Sequence, residues 1–314
     1  DFRDGYAQQW NLNLQQQLGR DYAVEVAYAG SRGRQLVLKR DINQAPPTVG
    51  VTNADVNRPF RTPAPALRSL SRSESLGELD HHSLLVKLQR RLANGFSFMS
   101  SYTFAKTMDI VSDTETNLTN PFDLEYDRGP ANYDVAHTWT TNWIVELPFG
   151  HGKRFGTRAG AGLNRLIGGW QLSGIHFWRT GLPFTVTQSQ NLLSNGGTNR
   201  PDTLGEARLS DPTVDRWFDP AAFAATRDNT GTYGNTGKNT LRGPGQWNLD
   251  LSLVKLTRLG RFEHELRVEA FNALNHPQFA NPGSVIGNAN AGVISSLLFG
   301  SPMRQVQLAM KLRW

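Results

Sequence analysis

The chain has 314 residues, contains no cysteine and carries a net charge of +6. Without cysteine there is no disulfide framework, thiolate zinc site or cysteine nucleophile, and without a run of roughly 18 apolar residues there is no membrane-spanning helix. Lysine and arginine are spread along the chain among acidic residues, with no contiguous basic patch or nucleic-acid motif, so a nucleic-acid partner is not expected.

The sequence opens at Asp1 without a signal-peptide pattern. That reads as a cut or processed start, with further chain upstream. Period-two alternation, the mark of a strand with one apolar and one polar face, begins at once. Trp10, Leu12 and Leu14 alternate with Asn11, Asn13 and Gln15. Tyr22, Val24, Val26 and Tyr28 alternate with Ala23, Glu25 and Ala27. A long connection then runs from Asp41 to His82. At its end Asp80, His81, His82 and Ser83 hold the residue types of a hydrolase, but in a row rather than converging from different segments. No G-x-S-x-G elbow is present either, so a loop-to-strand junction is expected and no enzymatic activity.

Leu84, Val86 and Leu88 resume the alternation against Leu85, Lys87 and Gln89. After the tight-turn signal Asn94-Gly95, Phe96, Phe98, Tyr102 and Phe104 alternate with Ser97, Met99, Ser101 and Thr103. The next long connection, Thr107 to His137, is acidic. Asp109, Asp113, Glu115, Asp123, Glu125 and Asp127 lie in it. Asp123, Glu125 and Asp127 are weak candidates for a Ca²⁺ site, since hard cations take carboxylate oxygen. They lack EF-hand spacing, and the expectation is a solvated loop paired with Arg128 and its neighbours.

Trp139, Trp143, Val145 and Leu147 alternate with Thr138, Asn142 and Glu146. An intermediate connection from Leu147 to Ile167 leads to a strand within Gly169 to Thr187, broken near Gly181 and Pro183. A third long connection, Gln188 to Gln246, holds a possible helical turn at Ala221 to Thr226. Its glycine-rich part, Asn229 to Gly245, lacks the Lys-Ser/Thr of a phosphate loop and reads as irregular; no cofactor is expected. Trp247, Leu249, Leu251 and Leu253 alternate with Asn248, Asp250 and Ser252. Leu266, Val268 and Ala270 alternate with Arg267 and Glu269. After a last long connection, Ala273 to Met303, Val306, Leu308, Met310, Leu312 and Trp314 alternate with Gln305, Gln307, Ala309, Lys311 and Arg313.

About nine strands result, and both a soluble sandwich and a membrane barrel would alternate this way. Three features favour the barrel. Several strands reach the length of about 9–11 residues that a bilayer needs. Short and long connections alternate along the chain, as the two rims of an outer-membrane barrel require. Aromatic residues gather at strand ends: Tyr22, Phe96, Phe149, Trp170, Phe262 and Trp314 at the short-turn end, Trp10, Tyr102, Phe104, Trp139 and Trp247 at the other. Glu25, Lys87, Gln89, Arg91, Glu146, Asp250, Arg267, Glu269, Lys311 and Arg313 then fall on the lumen side. There they serve as a surface for plug or cargo, or as a ladder of charges balanced across strands. Open edges are untenable in lipid, so about nine strands imply others upstream. The whole of 1–314 reads as one antiparallel transmembrane barrel segment of an outer membrane, C-terminus periplasmic and long loops extracellular.

Four stretches resemble the Oar-like TonB-dependent receptors: YAQQWNLNLQQQLGRDYAVEVAYAGSRGRQL; ANGFSFMSSYTFAKTMD with EYDRGPANYDVAHTWTTNWIVELPFG; RWFDPAAFA with GNTGKNTLRGPGQWNLDLSLVK; and RVEAFNALNHPQFANPG with the ending RQVQLAMKLRW. They run across nearly the whole chain in family order. The resemblance implies a 22-stranded barrel of which this is the C-terminal part, with a plug and N-terminal domains that are absent here. It implies as partners outer-membrane lipid, that plug, the TonB complex through the missing N-terminal part, and the barrel assembly machinery through the C-terminal strand. The family often ends in Phe; this chain ends in Trp314, an aromatic that keeps the assembly signal. The implied role is binding of an external ligand by the long loops for energised passage. The alternative is an adhesion, structural or protein-secretion barrel that imports no small molecule.

Overall fold

The computed structural model describes all residues except 1, 52, 64–65, 115–116, 190–194, 196, 227–230 and 302. Nine long strands form one antiparallel meander: β1 (Tyr6–Leu18), β2 (Tyr22–Asp41), β3 (Ser71–Ala93), β4 (Phe96–Asp109), β5 (His137–Glu146), β6 (Trp170–Arg179), β7 (Gln246–Leu259), β8 (Phe262–Phe271) and β9 (Gln305–Arg313). The other strands are two-residue pairs, all within the long connections. Among the described residues the helical content is one seven-residue helix, α1 (Ala161–Ile167), and three 3-10 turns. The fold is all-β, and every neighbouring pair in the meander is antiparallel.

Because strands follow one another in sequence, connections alternate between two ends. The short turns, the β5–β6 connection and the C-terminus share one end; the four long connections share the other. At the β3–β4 turn Asn94 and Gly95 take φ of 52° and 76°. Two successive left-handed residues match the strand twist, and Asn-Gly adopts them at least cost.

The register keeps each face intact across the sheet. One row runs Leu172, Leu253, Val268, Leu308. The row beside it, on the opposite face, runs Ser173, Ser252, Glu269, Gln307. The apolar face is bare: Leu84 is 41% exposed, Trp139 44% and Leu308 73%. A soluble sandwich would bury this face against a second sheet. Here the buried hydrophobic clusters lie mainly in the long connections instead. An apolar outer surface bounding a polar inner one is the arrangement of a membrane barrel.

Packing on the outer face is close where glycine faces an indole. A Cβ on Gly174 would stand 2.6 Å from the Trp143 ring, and one on Gly30 2.4 Å from that of Trp10. Gly174→Val is therefore expected to expel Trp143 and destabilise the barrel by about 1–3 kcal/mol. A lowered unfolding temperature with altered tryptophan emission would show this; an unchanged temperature would contradict it.

The connection expected from Asp41 to His82 is shorter. β3 begins at Ser71, and its pairing with β2 continues to Asp41, past a bulge at Gly33–Leu36. Ser71 to Asp80 carry polar residues on both faces, so period two is lost although the strand is not. The hairpin is held there by charge: Arg32 and Arg34 each reach Asp80 at 3.0 Å. In place of a helical turn over Ala221–Thr226, a 3-10 turn at Pro220–Ala222 leads into a short strand, Phe223–Ala224. The glycine-rich Asn229–Gly245 is irregular apart from Leu241–Arg242, which pairs with Pro183–Phe184; its residues 229–230 lie outside the described ones.

The belt of rings at the long-connection end is a register feature. Tyr102, Trp139, Trp178 and Trp247 stand side by side on successive strands. Histidines join them: the Tyr28 hydroxyl lies 2.8 Å from His82 Nδ1 and that of Tyr102 2.6 Å from His137 Nδ1. Amphipathic rings of this kind favour the boundary between hydrocarbon and water.

Candidate functional site

The long connections fold into a cap at one end of the sheet. Its core comes from the β6–β7 connection, where Phe184, Val186, Phe218, Phe223 and Leu241 bury one another. The Asp219 side chain accepts from the Ala221 N–H at 3.1 Å, and Pro220 occupies the first turn, so the local sequence shapes the bend that inserts Phe218. The parallel pairing of Thr187–Gln188 with Val285–Ile286 joins this connection to that between β8 and β9.

Three ion pairs, each with a buried carboxylate, tie it to the acidic segment around β4 and β5. Arg200 meets Asp127 at 3.3 Å with both side chains buried, and its guanidinium lies 3.8 Å from the Tyr126 ring centroid. Asp127 also accepts from the N–H groups of Thr119 at 2.8 Å and Asn120 at 3.1 Å. Lys238 pairs with Asp109 at the top of β4, and Arg242 with Asp134. The Tyr126 hydroxyl donates to the Gly234 carbonyl at 2.7 Å, and Gln44 of the β2–β3 connection reaches the Tyr233 hydroxyl at 3.0 Å. Buried pairs of this sort gain little net energy over an apolar substitute, yet removing one partner is costly. Their effect is to fix the β6–β7 connection against the segment between β4 and β5.

Burial raises the Asp127 carboxyl above the ordinary carboxylate range, against the opposing pull of Arg200 and the backbone donors. Burial likewise raises Tyr126 and pushes Tyr233 up to about 12. Both phenols therefore stay protonated at neutral pH. Beside these groups is a cavity of about 880 Å³, lined among others by Asp41, Arg58, Thr119, Thr185, Arg200 and Lys238. Arg200 Nε has no hydrogen-bond partner there among the described residues. Such a lining can hold a polar, hydrogen-bonding solute, since alcohols, amides and charges of both signs meet in it.

The structure disperses Asp123, Glu125 and Asp127. Asp123 accepts from the Glu125 N–H at 3.1 Å, while Asp127 turns inward to Arg200. No group of three metal-ligating side chains occurs among the described residues; Glu115 lies outside them. Arg128, expected to balance this loop, instead reaches back to Asp80 at 2.9 Å and Glu78 at 3.3 Å. Of the would-be hydrolase residues, Asp80 is taken by three arginines, His81 Nδ1 lies 2.8 Å from the Thr107 hydroxyl, and His82 faces Tyr28. Ser83, the remaining member of that set, donates to the Ala29 carbonyl at 3.5 Å.

The polar face of the sheet carries the candidates assigned to a lumen. Glu25 is bridged to Lys87 on the next strand and accepts from Asn13 at 2.8 Å. Glu146 binds Lys153 at 2.8 Å. Arg267 reaches Glu265 at 2.6 Å and Glu269 at 3.6 Å, and Arg313 reaches Glu263 at 3.2 Å. Lys311 stands opposite Glu265 in the register. Arg91 lies where the β3–β4 register shifts, its side chain on the Arg20 carbonyl. Glu25 with Lys87 and Arg313 with Glu263 balance charge across strands, while Arg267 is balanced within its own strand.

Sequence reasoning missed Arg200, Lys238 and Arg242. The signal available was complementarity: one long connection rich in acids and another carrying arginine and lysine. Lys255 was missed too. It lies on the outer face near the short-turn end, over the Trp170 ring and donating to the Gly168 carbonyl, where a long cation can reach the membrane boundary.

The family model for the outer membrane beta barrel domain matches residues 1–307. The chain belongs to this family. Among solved structures, the barrel domain is similar to the outer membrane transporter YddB from Escherichia coli, at TM-score 0.53 and 10% identity over 99% of the chain. It is also similar to the FrpB iron transporter from Neisseria meningitidis (TM-score 0.44, 12% identity, 98% of the chain). P. aeruginosa FpvA, in a structure bound to heterologous pyoverdines, aligns at TM-score 0.45 and 9% identity over 97% of the chain. The barrel domain spans 33%, 31% and 26% of those chains respectively. At such identity the YddB likeness is one of fold, and the fold is that of an outer-membrane barrel. No curated protein sequence matches the chain.

Proposed function

We propose that this barrel domain is the C-terminal part of an Oar-like TonB-dependent receptor. In that reading its long-connection end faces outward, and its loop cap binds an external ligand for energised passage through the lumen. The observation that carries the proposal is the cap itself: the β4–β5 and β6–β7 connections are locked by ion pairs, the other two are joined to them by the Gln44–Tyr233 hydrogen bond and a short parallel pairing, and a polar cavity lies beside them above a wall of paired charges. A preorganised cavity spends less binding energy on ordering loops. The edge strands β1 and β9 each pair with one neighbour among the described residues, which suits a larger barrel of the 22-stranded type closed by strands from the rest of the protein. The plug, the TonB complex and the assembly machinery acting at Trp314 are the partners this reading requires.

Exposed apolar side chains in the β8–β9 connection favour a second reading, an adhesive or secretory barrel: Leu297, Phe299 and Met303 are all exposed. Capture of the complete, detergent-solubilised protein by the C-terminal domain of TonB separates the two. Specific capture is the result expected of an energised transporter. Absence of capture, with the barrel intact, would leave the adhesive reading.

A further inference from the structure

The connection between β5 and β6 turns back onto the outer face of the sheet. Phe149, Phe155, Leu166 and Ile167 gather with Trp170 and with Leu253 of β7 around a shallow groove of about 440 Å³. Trp170 and Leu253 belong to the outward face, so the groove continues the surface that meets hydrocarbon. The segment is fixed there: Trp170 Nε1 donates to the Leu166 carbonyl at 2.9 Å, and the Asn164 side-chain oxygen accepts from the His151 N–H at 2.6 Å. Yet Leu163 is 53% exposed and Leu166 71%.

The charge of this segment is one-sided. From Leu147 to Trp170 there is no aspartate or glutamate, but Lys153, Arg154, Arg158 and Arg165 are all present. Lys153 is bound by Glu146. Arg154, Arg158 and Arg165 are exposed and make no ion pair among the described residues. Exposed leucine and phenylalanine beside unpaired arginine, at the rim of a lipid-facing wall, is the composition of a segment lying in a membrane interface.

We propose that the β5–β6 connection is a foot on the membrane. Phe155, Leu163 and Leu166 enter the edge of the bilayer, and Arg154, Arg158 and Arg165 bind anionic phospholipid headgroups of the leaflet at the short-turn end. Hydrophobic insertion sets the depth; the arginines select the headgroup charge. The inference rests on the barrel spanning a membrane and is independent of the transport reading.

These 314 residues contain no cysteine, and replacing by serine any cysteine elsewhere in the complete protein makes a single label unique. The complete protein carrying Leu163→Cys labelled with bimane is reconstituted in bilayers containing brominated phosphatidylglycerol or brominated phosphatidylcholine. Both lipids are expected to quench, phosphatidylglycerol with a preference of roughly fivefold or more. The combined Arg154→Gln, Arg158→Gln and Arg165→Gln variant should lower that preference to near one while quenching persists, with heat-modifiable mobility confirming the fold. Equal quenching of the parent protein by both lipids would overturn the proposal, as would a preference unchanged by the triple substitution. Quenching by neither lipid would also overturn it, and would point to a protein on this face.

Discussion

Leu308→Arg is expected to remove most of the folded barrel from the complete protein, and Gln307→Arg to leave it close to the parent level. The two residues are neighbours in β9 on opposite faces. Leu308 shares its row with Val268, Leu253 and Leu172, while Gln307 shares its own with Glu269 and Ser252. An arginine on the lipid face near the midplane costs about 2–4 kcal/mol, and in the lumen little. The smaller figure already shifts an equilibrium about thirtyfold. Heat-modifiable mobility after refolding into lipid vesicles measures the folded fraction. Equal loss in the two variants would mean that the two faces of β9 do not meet different solvents.

The second large effect belongs to the cap. Asp127→Ala leaves the buried Arg200 guanidinium without its countercharge, and breaking a buried pair in this way costs about 3–5 kcal/mol. The cap is expected to open while the sheet persists, because the pair joins two connections and no long strand. Limited proteolysis should then cut within 110–136 and 180–245 at least tenfold faster, with heat-modifiable mobility retained. Lys153→Ala removes a far more exposed pair with Glu146, worth no more than about 1 kcal/mol, and should leave cap proteolysis unchanged. Unaltered protection in Asp127→Ala would show that the apolar cluster around Phe218 holds the cap without the ion pairs.

What was legible in the sequence follows from where the solvent changes. Between the two boundaries one face meets lipid and the other water, so period two is enforced residue by residue; Leu249 to Leu253 and Val306 to Leu312 could be assigned face by face. Beyond the boundary both faces meet water and the signal fades, which is why Ser71 to Asp80 read as loop although paired with β2. The cap was illegible for a different reason. Its ties join residues far apart in the chain, such as Arg200 and Tyr126 at a separation of 74 positions, and no local period records such a contact. The stretches that resemble the Oar-like receptors supply most of those ties. EYDRGPANYD holds Asp127 and Asp134, RWFDPAAFA holds Phe218, and GNTGKNTLRG holds Lys238 and Arg242.

The central claim is that the apolar face of the sheet meets lipid. β7 tests it best, since it is paired on both sides within the chain, with β6 and with β8. Single cysteines introduced in turn from Leu249 to Leu253 and spin-labelled in the reconstituted complete protein sample both faces of one strand. Labels at Leu249, Leu251 and Leu253 should collide with lipid-dissolved oxygen, and those at Asp250 and Ser252 with a water-soluble nickel chelate, alternating without exception. Labels that all favour the aqueous reagent, or that respond alike at odd and even positions, would contradict the account.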